Sequence, residues 1–276
     1  MNEKTARALL EKVKFDYDSI AYDFSKSRDC FWHEFSEFLP FISDHFGKMD
    51  DRSRLNGSDQ SFPSHEPLRI LDLGCGNGRL FGFLSNSLKN GFEYTGIDNS
   101  VAIIHEAQKR YGRDEASGGV PFSSALFLEA KKCVRHRSQL KPRFIVSDML
   151  FLPFHEMTFD TVFSLASLHH IPSRAFRIKA LNEIHRVLKS DSICIFLIWN
   201  LWQKKYFVSF LRSFIRFIVT LGQYDFNDLF IPWQDKIFRY YHAFTFFGLK
   251  RIVKKNGFKI LYSSKGRNFI IIAKKI

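Results

Sequence analysis

The sequence predicts an α/β protein with a mainly parallel seven-stranded sheet, flanked by helices and closed by an antiparallel hairpin at its C-terminal end. An apolar run at 69–73 ends in a glycine-rich turn and is followed by an amphipathic run, the pattern of strand, tight turn and helix. Alternating strand and helix patterns continue to about residue 200, which favours parallel strands. Residues 257–276 then show two strand patterns about a turn.

Composition narrows the class of protein. The chain of 276 residues is 45% hydrophobic, which is typical of a globular protein. Its four cysteines are scattered without metal-ligand spacing, so we expect a reducing compartment and no bound metal. The first residues carry mixed charges and no apolar run of signal-peptide length, which predicts a cytoplasmic protein.

Basic charge is concentrated in the last part of the chain. Residues 171–276 contain 20 Lys and Arg against 5 Asp and Glu, a net charge of +15. Residues 1–170 contain 21 against 23, a net charge of −2. Such one-sided charge predicts a polyanionic partner, either a nucleic acid or an anionic membrane surface. Lysines on solvated helix faces are the alternative interpretation.

The glycine-rich turn, D-L-G-C-G-N-G at 72–78, indicates the kind of ligand. Glycine lets the backbone turn sharply and lets a ligand approach the N-terminus of the next helix. The dinucleotide fingerprint is excluded, because its third glycine would fall on Arg79 or, counted from the second glycine, on Phe81. An acid two places before three alternating glycines resembles the S-adenosylmethionine loop of class I methyltransferases. The loop residues assigned to the cofactor are Asp72, Gly74, Cys75, Gly76 and Gly78.

Acidic residues end the next two strand patterns. Asp98 lies twenty residues after Gly78, at the spacing where a carboxylate accepts hydrogen bonds from ribose hydroxyls. Asp148 ends the third strand pattern, where it can accept from the adenine amine while the amide of Met149 contacts the ring. Helix capping is the alternative for Asp148. The other residues assigned to cofactor binding are Tyr22, Asn99 and Leu165.

We expect a single domain, Rossmann-like in its core, with five parts. These are an N-terminal helical cap (1–46), a polar loop (47–67), a cofactor-binding core (68–200) with a poorly patterned insertion (112–142), a substrate-side insertion (201–245), and a terminal helix and hairpin (246–276).

Several motifs together indicate a narrower family. They are Y-D-S-I-A-Y-D-F-S-K-S-R at 17–28, L-H-H-I-P at 168–172, the strand end at 199–200, and above all I-P-W at 231–233 followed by R-Y-Y-H-A-F at 239–244. With the glycine loop, they are similar to the tRNA wobble-uridine carboxymethyl methyltransferases. That family includes the eukaryotic enzyme and the methyltransferase domain of the animal AlkB-type fusion.

This resemblance implies an RNA-binding enzyme that uses S-adenosyl-L-methionine to convert a 5-carboxymethyl group on the first anticodon uridine of tRNA into its methyl ester. A carboxylate, with an unperturbed pKa of roughly 4, needs no general base, so catalysis is positioning. Eukaryotic members of the family work with a small zinc-binding activator subunit, which is a candidate partner here. The residues assigned to catalysis are Arg28, His169, Asn200, Arg239, Tyr240 and His242, although 239–242 also fits a packed strand or helix edge.

Two other functions stay open at this point. One is methyl transfer to a small or lipid-like acceptor, as in quinone biosynthesis, and the other is non-catalytic RNA binding. The segment 202–221 has apolar residues at helical spacing, with internal arginines and too short an apolar run for a membrane span. We expect it to cap the active site, with a partner-binding face or a membrane-surface helix as alternatives. Membrane contact is not among the partners we expect.

Overall fold

A seven-stranded sheet organises the computed structural model, which describes residues 1–28, 32–42, 67–88, 91–112, 141–234 and 236–276. The strands, in chain order, are β1 (Leu68–Leu73), β2 (Phe92–Asp98), β3 (Arg143–Val146), β4 (Phe159–Leu165), β5 (Leu188–Trp199), β6 (Asp228–Trp233), β7 (Ile237–His242), β8 (Phe258–Lys265) and β9 (Asn268–Lys275). The main sheet has the order β3-β2-β1-β4-β5-β9-β8, and β6 and β7 form a separate antiparallel ribbon. Among the described strands of this sheet, β9 is antiparallel to both β5 and β8 and the other pairs are parallel, which confirms the predicted fold class.

The helices are α1 (Glu3–Lys26), α2 (35–42), α3 (Arg79–Ser87), α4 (Val101–Tyr111), α5 (Arg174–Val187), α6 (Phe207–Val219) and α7 (Phe246–Lys255). The helical stretch expected at the N-terminus is therefore divided, since α1 ends at Lys26 and α2 is a second helix. The predicted loop 47–67 and the predicted insertion 112–142 lie outside the described residues, apart from residues 67, 112, 141 and 142.

Local sequence explains where these elements form. The side chains of Asn2, Ser100 and Thr245 accept hydrogen bonds from backbone N–H groups in the first turns of α1, α4 and α7. Such N-caps satisfy donors that the helix leaves free. Strand β5 is apolar at consecutive positions from Ile193 to Trp199, and β4 is buried at every residue. Helices cover both faces of the sheet, so these strands have no solvated side.

The topology creates a crevice above β1. From β1 the chain runs outward through β2 and β3, then returns to β4 on the opposite side of β1. Ligands of open α/β sheets bind at the carboxyl ends of the strands where the order reverses in this way. Helix α1 and strand β7 close over the crevice, and the ammonium of Lys12 donates to the carbonyl of Phe238 at 2.8 Å. Within the described ranges, no helix is both long enough and apolar enough to cross a bilayer.

Candidate active site

The glycine loop lies at the carboxyl end of β1 and forms the floor of the pocket. All three glycines have positive φ angles, +69° at Gly74, +56° at Gly76 and +76° at Gly78, a conformation that side chains disfavour. A Cβ on Gly74 would lie 2.5 Å from the Cβ of Ser167. A Cβ on Gly78 would lie 2.8 Å from the ring of Phe144. Gly74 and Gly76 line the pocket, whereas Gly78 precedes α3 and shapes the turn.

Two carboxylates give this end of the pocket its negative character. Asp72 is buried, and its Oδ2 accepts a hydrogen bond from the Tyr94 hydroxyl at 2.6 Å, while its Oδ1 has no partner. Burial, and then the charge of Asp98, raise the pKa of Asp72 to about 7. Burial raises the pKa of Asp98 to about 6. The backbone N–H groups of Ser100 (3.0 Å) and Gly76 (3.2 Å) donate to its carboxylate and partly offset this rise. An unpaired buried carboxylate oxygen beside a glycine turn suits a cationic ligand that carries hydroxyl groups.

The remaining predicted cofactor residues lie along the same wall, with one exception. Asp148 Oδ1 accepts from the Leu150 N–H at 2.9 Å, and burial raises the pKa of this carboxyl. The predicted residues that line the pocket on this side are Asp72, Gly74, Cys75, Gly76, Asp98, Asn99, Asp148, Met149 and Leu165. The exception is Tyr22, whose side chain is 63% exposed.

Helix α1 presents Tyr17 instead of Tyr22 to the pocket. Five residues of helix correspond to a rotation of about 140° beyond a full turn, so the two rings point in different directions. Tyr17 lies on the same stripe as Val13 and Phe24, and all three line the pocket. The apolar spacing of this stripe indicated only packing, and its closeness to the ligand crevice depends on how α1 lies on the sheet.

Strand alternation divides the R-Y-Y-H stretch of β7 between two environments. Arg239 lines the pocket, and its guanidinium carbon lies 5.4 Å from the centre of the Tyr241 ring. Tyr240 and His242 instead approach Asp228 on β6, with the Tyr240 hydroxyl donating at 2.7 Å and His242 Nδ1 at 3.1 Å. Successive side chains of a strand point to opposite faces, so the structure separates Tyr240 and His242 from the pocket and associates Tyr241 with Arg239.

Arg239 is a buried cation without a carboxylate partner among the described residues. Its side chain is 4% exposed, its Nη1 donates to the Tyr17 hydroxyl at 3.3 Å, and its Nε has no hydrogen-bond partner. Aromatic rings surround the guanidinium, those of Tyr17, Trp199, Trp233 and Tyr241, at 5.4–5.9 Å. Arg28 also lines the pocket, and burial together with the charge of Arg239 lowers the pKa of Arg28. Two neighbouring cations favour an anionic ligand at this end.

The paired histidines have different positions. His170 lines the pocket, with Nδ1 placed to donate to the Tyr240 carbonyl (2.8 Å), so Nε2 accepts from the Tyr17 hydroxyl (2.9 Å). Burial and then Arg239 lower the pKa of His170 to about 3, which keeps it neutral. His169 lies behind it, fully buried between the rings of Trp199 and Tyr241. The Nε2 of His169 and the hydroxyl of Tyr241 have no hydrogen-bond partner.

Asn200 lies in a groove that adjoins the pocket. Its amide donates to the carbonyl of Gly266 at 2.9 Å and accepts from the N–H of Trp202 at 3.1 Å, which joins the end of β5 to the terminal hairpin. The groove and the pocket share Arg28, Trp32 and Trp199. A ligand that extends beyond the pocket at its cationic end would therefore continue past Asn200.

Comparison with known proteins agrees with this architecture. Residues 71–196 match the family model described as a methyltransferase domain. The tRNA (carboxymethyluridine(34)-5-O)-methyltransferase of Schizosaccharomyces pombe is 28% identical over an alignment of 279 positions, which covers 96% of each chain. The alkbh8 protein of Xenopus tropicalis, which has the same enzyme name, is 25% identical over 194 residues. That match covers 70% of this chain but only 22% of the longer relative.

Solved structures share the fold. A SAM-dependent methyltransferase from Methanosarcina mazei superposes with a TM-score of 0.57 at 22% identity, over 79% of this chain and 99% of that one. A methyltransferase in a complex with the Haloferax volcanii Trm112 methyltransferase activator gives 0.53 at 14% identity, over 95% and 97%. The chain is thus a class I S-adenosylmethionine-dependent methyltransferase, with S-adenosyl-L-methionine as its cofactor, and it resembles the tRNA carboxymethyluridine methyltransferases.

Proposed function

We propose that this enzyme methylates the carboxylate of a 5-carboxymethyl-type uridine at the wobble position of tRNA, giving the methyl ester. The observation that carries the proposal is the unpaired cationic end of the pocket. Arg239 Nε, Tyr241 Oη and His169 Nε2 are buried polar atoms of neighbouring side chains, and none of them has a hydrogen-bond partner. Buried donors without partners are costly, and an acceptor carboxylate in the pocket would pair with Arg239, the one of these three side chains that lines it.

The cofactor would bind at the other end. We assign the ribose hydroxyls to Asp98, the adenine edge to Asp148 and Met149, and the cationic amino acid portion to the side of Asp72. Bound S-adenosyl-L-methionine supplies an electrophilic methyl group on a cationic sulfur. The acidic residues near the loop suit the positive charge of that ligand, and the two arginines suit an anionic acceptor.

The chain's own residues then act by positioning. Arg28 and Arg239 hold the carboxylate, and Tyr17 keeps Arg239 in place through its hydroxyl. An ionised carboxylate has no proton to lose, so His170 need not act as a base, and its bonds to Tyr17 and to the Tyr240 carbonyl serve to fix Tyr17. The aromatic rings around Arg239 exclude water, which strengthens the interaction between charges.

The adjoining groove suits the rest of an RNA substrate. Trp32, Trp199 and Tyr206 offer rings for stacking, and the exposed Lys205 and Arg267 offer charge to phosphates. The names of the two tRNA-modifying relatives support the same substrate class. A Trm112-type activator is a further proposed partner, suggested by the complex that contains a structural neighbour.

The decisive experiment incubates the full-length protein with S-adenosyl-L-methionine and tRNA that carries 5-carboxymethyluridine, with and without a Trm112-type activator. Mass analysis of the nucleosides should show a gain of one methyl group that is removed by mild alkali, as expected for an ester. Tight tRNA binding should weaken steeply with salt, because phosphate contacts release counterions. Methylation of a phenolic quinone precursor, without any ester on the tRNA, would contradict the proposal and favour a small-molecule acceptor.

A further inference from the structure

Helix α6 packs against the protein with the side that carries Ser213 and Phe210. Ser213 is its one buried residue, and the hydroxyl lies 2.9 Å from the carbonyl of Phe226 and 2.7 Å from that of Asp228. The guanidinium of Arg216 lies 4.1 Å from the centre of the Phe230 ring. This contradicts the expectation that the apolar side of the segment packs over the active site. The physical reason is that the carbonyls near the start of β6 require a donor, which Ser213 supplies.

The apolar side of α6 therefore faces outward. At 100° per residue, the apolar residues opposite Ser213 span an arc of about 140°. Their side chains are 47–74% exposed, and they are Phe207, Val208, Leu211, Phe214, Ile215, Ile218 and Val219. Two further exposed rings adjoin this surface. The ring centre of Phe226 lies 6.1 Å from that of Phe214, and Trp202 stacks on the neighbouring Phe210 of α6 with 4.6 Å between ring centres. We call these residues, Trp202 and Phe226 included, the outward face.

All charged side chains in the segment that carries the outward face, residues 202–224, are basic. Residues 202–224 contain four basic side chains and no Asp or Glu; the basic residues are Lys204, Lys205, Arg212 and Arg216. Lys204, Lys205 and Arg212 are exposed. A surface that joins exposed Phe, Leu and Ile to exposed Lys and Arg is complementary to a lipid surface with anionic headgroups.

We propose that the outward face docks on an anionic membrane surface, with α6 lying in the plane of the headgroups. The helix is about 20 Å long at 1.5 Å per residue, which is too short to cross a hydrocarbon core of about 30 Å. Five of the nine residues of the face are Val, Leu or Ile, whereas the residues that dominate binding energy at protein interfaces are enriched in Trp, Tyr and Arg and include few Leu and Val. This role is independent of the methyl acceptor, and it replaces the expectation that the membrane is not a partner.

The test measures binding of the full-length protein to vesicles by co-sedimentation. We expect binding to phosphatidylcholine vesicles that contain phosphatidylserine and much less binding to pure phosphatidylcholine. The triple variant Leu211→Ser, Ile215→Ser, Ile218→Ser should lower the partition coefficient at least about tenfold. Arg212→Gln should lower it about fivefold on the anionic vesicles only. The control is Phe247→Ser, which should leave binding unchanged, because Phe247 is even more exposed but lies on α7, outside the outward face.

A second readout keeps the result independent of folding. Fluorescence of Trp202, identified by comparison with Trp202→Phe, should be quenched by brominated lipids if the outward face enters the bilayer. S-Adenosyl-L-methionine binding shows whether each variant is folded. Wild-type protein that remains in the supernatant with both kinds of vesicle would overturn the proposal. So would equal sedimentation of the triple variant, or a triple variant whose only change is from dimer to monomer, which would make the face a self-association surface.

Discussion

The two ends of the pocket differ in charge and in the way they are built. At the glycine-loop end, Asp72 and Asp98 come from adjacent parallel strands, within 27 residues of chain. At the opposite end, Arg28 follows the end of α1, and Arg239, beside the Tyr241 ring, comes from a ribbon more than 200 residues away. The acidic end relies on local sequence, and the cationic end exists only after the ribbon closes over α1.

This contrast teaches why local sequence indicates the acidic end, whereas the cationic end depends on the tertiary fold. A glycine turn, and an acid at the end of the next strand, can be carried by any sheet of this topology. The cationic end depends on one strand, β7, whose alternate residues serve different purposes. Arg239 faces the pocket, whereas Tyr240 and His242 hold the ribbon together through Asp228.

The largest expected effect is on the cationic end. Replacing Arg239 with alanine should reduce methyl transfer to tRNA roughly 100- to 1,000-fold, the usual loss when a group that holds the reacting atoms is removed. Cofactor affinity, measured by calorimetry, should stay close to that of the wild type. Phe238→Ala, an exposed neighbour on the other face, is the control. A parallel loss of cofactor binding would mean that Arg239 belongs to the cofactor end.

At the acidic end, in contrast, a substitution should lower the affinity for the cofactor. Asp98→Ala removes an acceptor of ribose hydroxyls and should weaken S-adenosyl-L-methionine binding about 10- to 100-fold, since hydrogen bonds to a charged group contribute about 1.5–3 kcal/mol. Calorimetry with the cofactor measures this. Glu93→Ala, on the same strand but exposed and paired with Arg69, should have no effect. Unchanged affinity in Asp98→Ala would remove the ribose assignment.

Acid should weaken cofactor binding at least about tenfold. The pKa of Asp98 is about 6 and that of Asp72 about 7, both raised by burial above the values of the unfolded chain. If the ionised forms bind the cofactor, protons compete with it, and affinity should fall between pH 7.5 and pH 5. In Asp98→Asn only the contribution of Asp72 should remain, with its midpoint below pH 7, because loss of the Asp98 charge lowers the pKa of Asp72. A flat profile in the wild type would contradict a role for these charges.

The sequence predicted the sheet and the glycine loop because their signals are local. Apolar runs, turn residues and acids at strand ends mark the parallel core, and the order of its strands follows from alternation with helices. Tyr17 and Tyr22 show where this reasoning stops. Both fit a helical pattern, but which one reaches the ligand depends on how α1 lies on the sheet. The orientation of α6 was also beyond the sequence, because its polar side is recruited by the carbonyls of Phe226 and Asp228.

The R-Y-Y-H stretch gave a signal that could have been used more fully. Read as a strand, its period of two places Arg239 and Tyr241 on one side and Tyr240 and His242 on the other. The motif resemblance alone assigned Arg239, Tyr240 and His242 to one catalytic site and left out Tyr241. The strand assignment was open at that point, since a helix edge fitted equally well, and the pairing of β7 with β6 decides it.

The smallest predicted effects come from a matched pair of variants, Tyr241→Phe and Tyr240→Phe, which test the two faces of β7 separately. Tyr241→Phe removes an unpartnered hydroxyl beside Arg239 and should lower methyl transfer about fivefold, with stability unchanged or slightly increased. Tyr240→Phe removes a donor to buried Asp228 and should lower the free energy of unfolding by about 1–3 kcal/mol, with transfer nearly normal below the unfolding temperature. Denaturant unfolding and single-turnover methyl transfer measure the two quantities on the same preparations. The reverse outcome, with Tyr240→Phe impaired in transfer and Tyr241→Phe in stability, would require the opposite face of β7 to meet the acceptor.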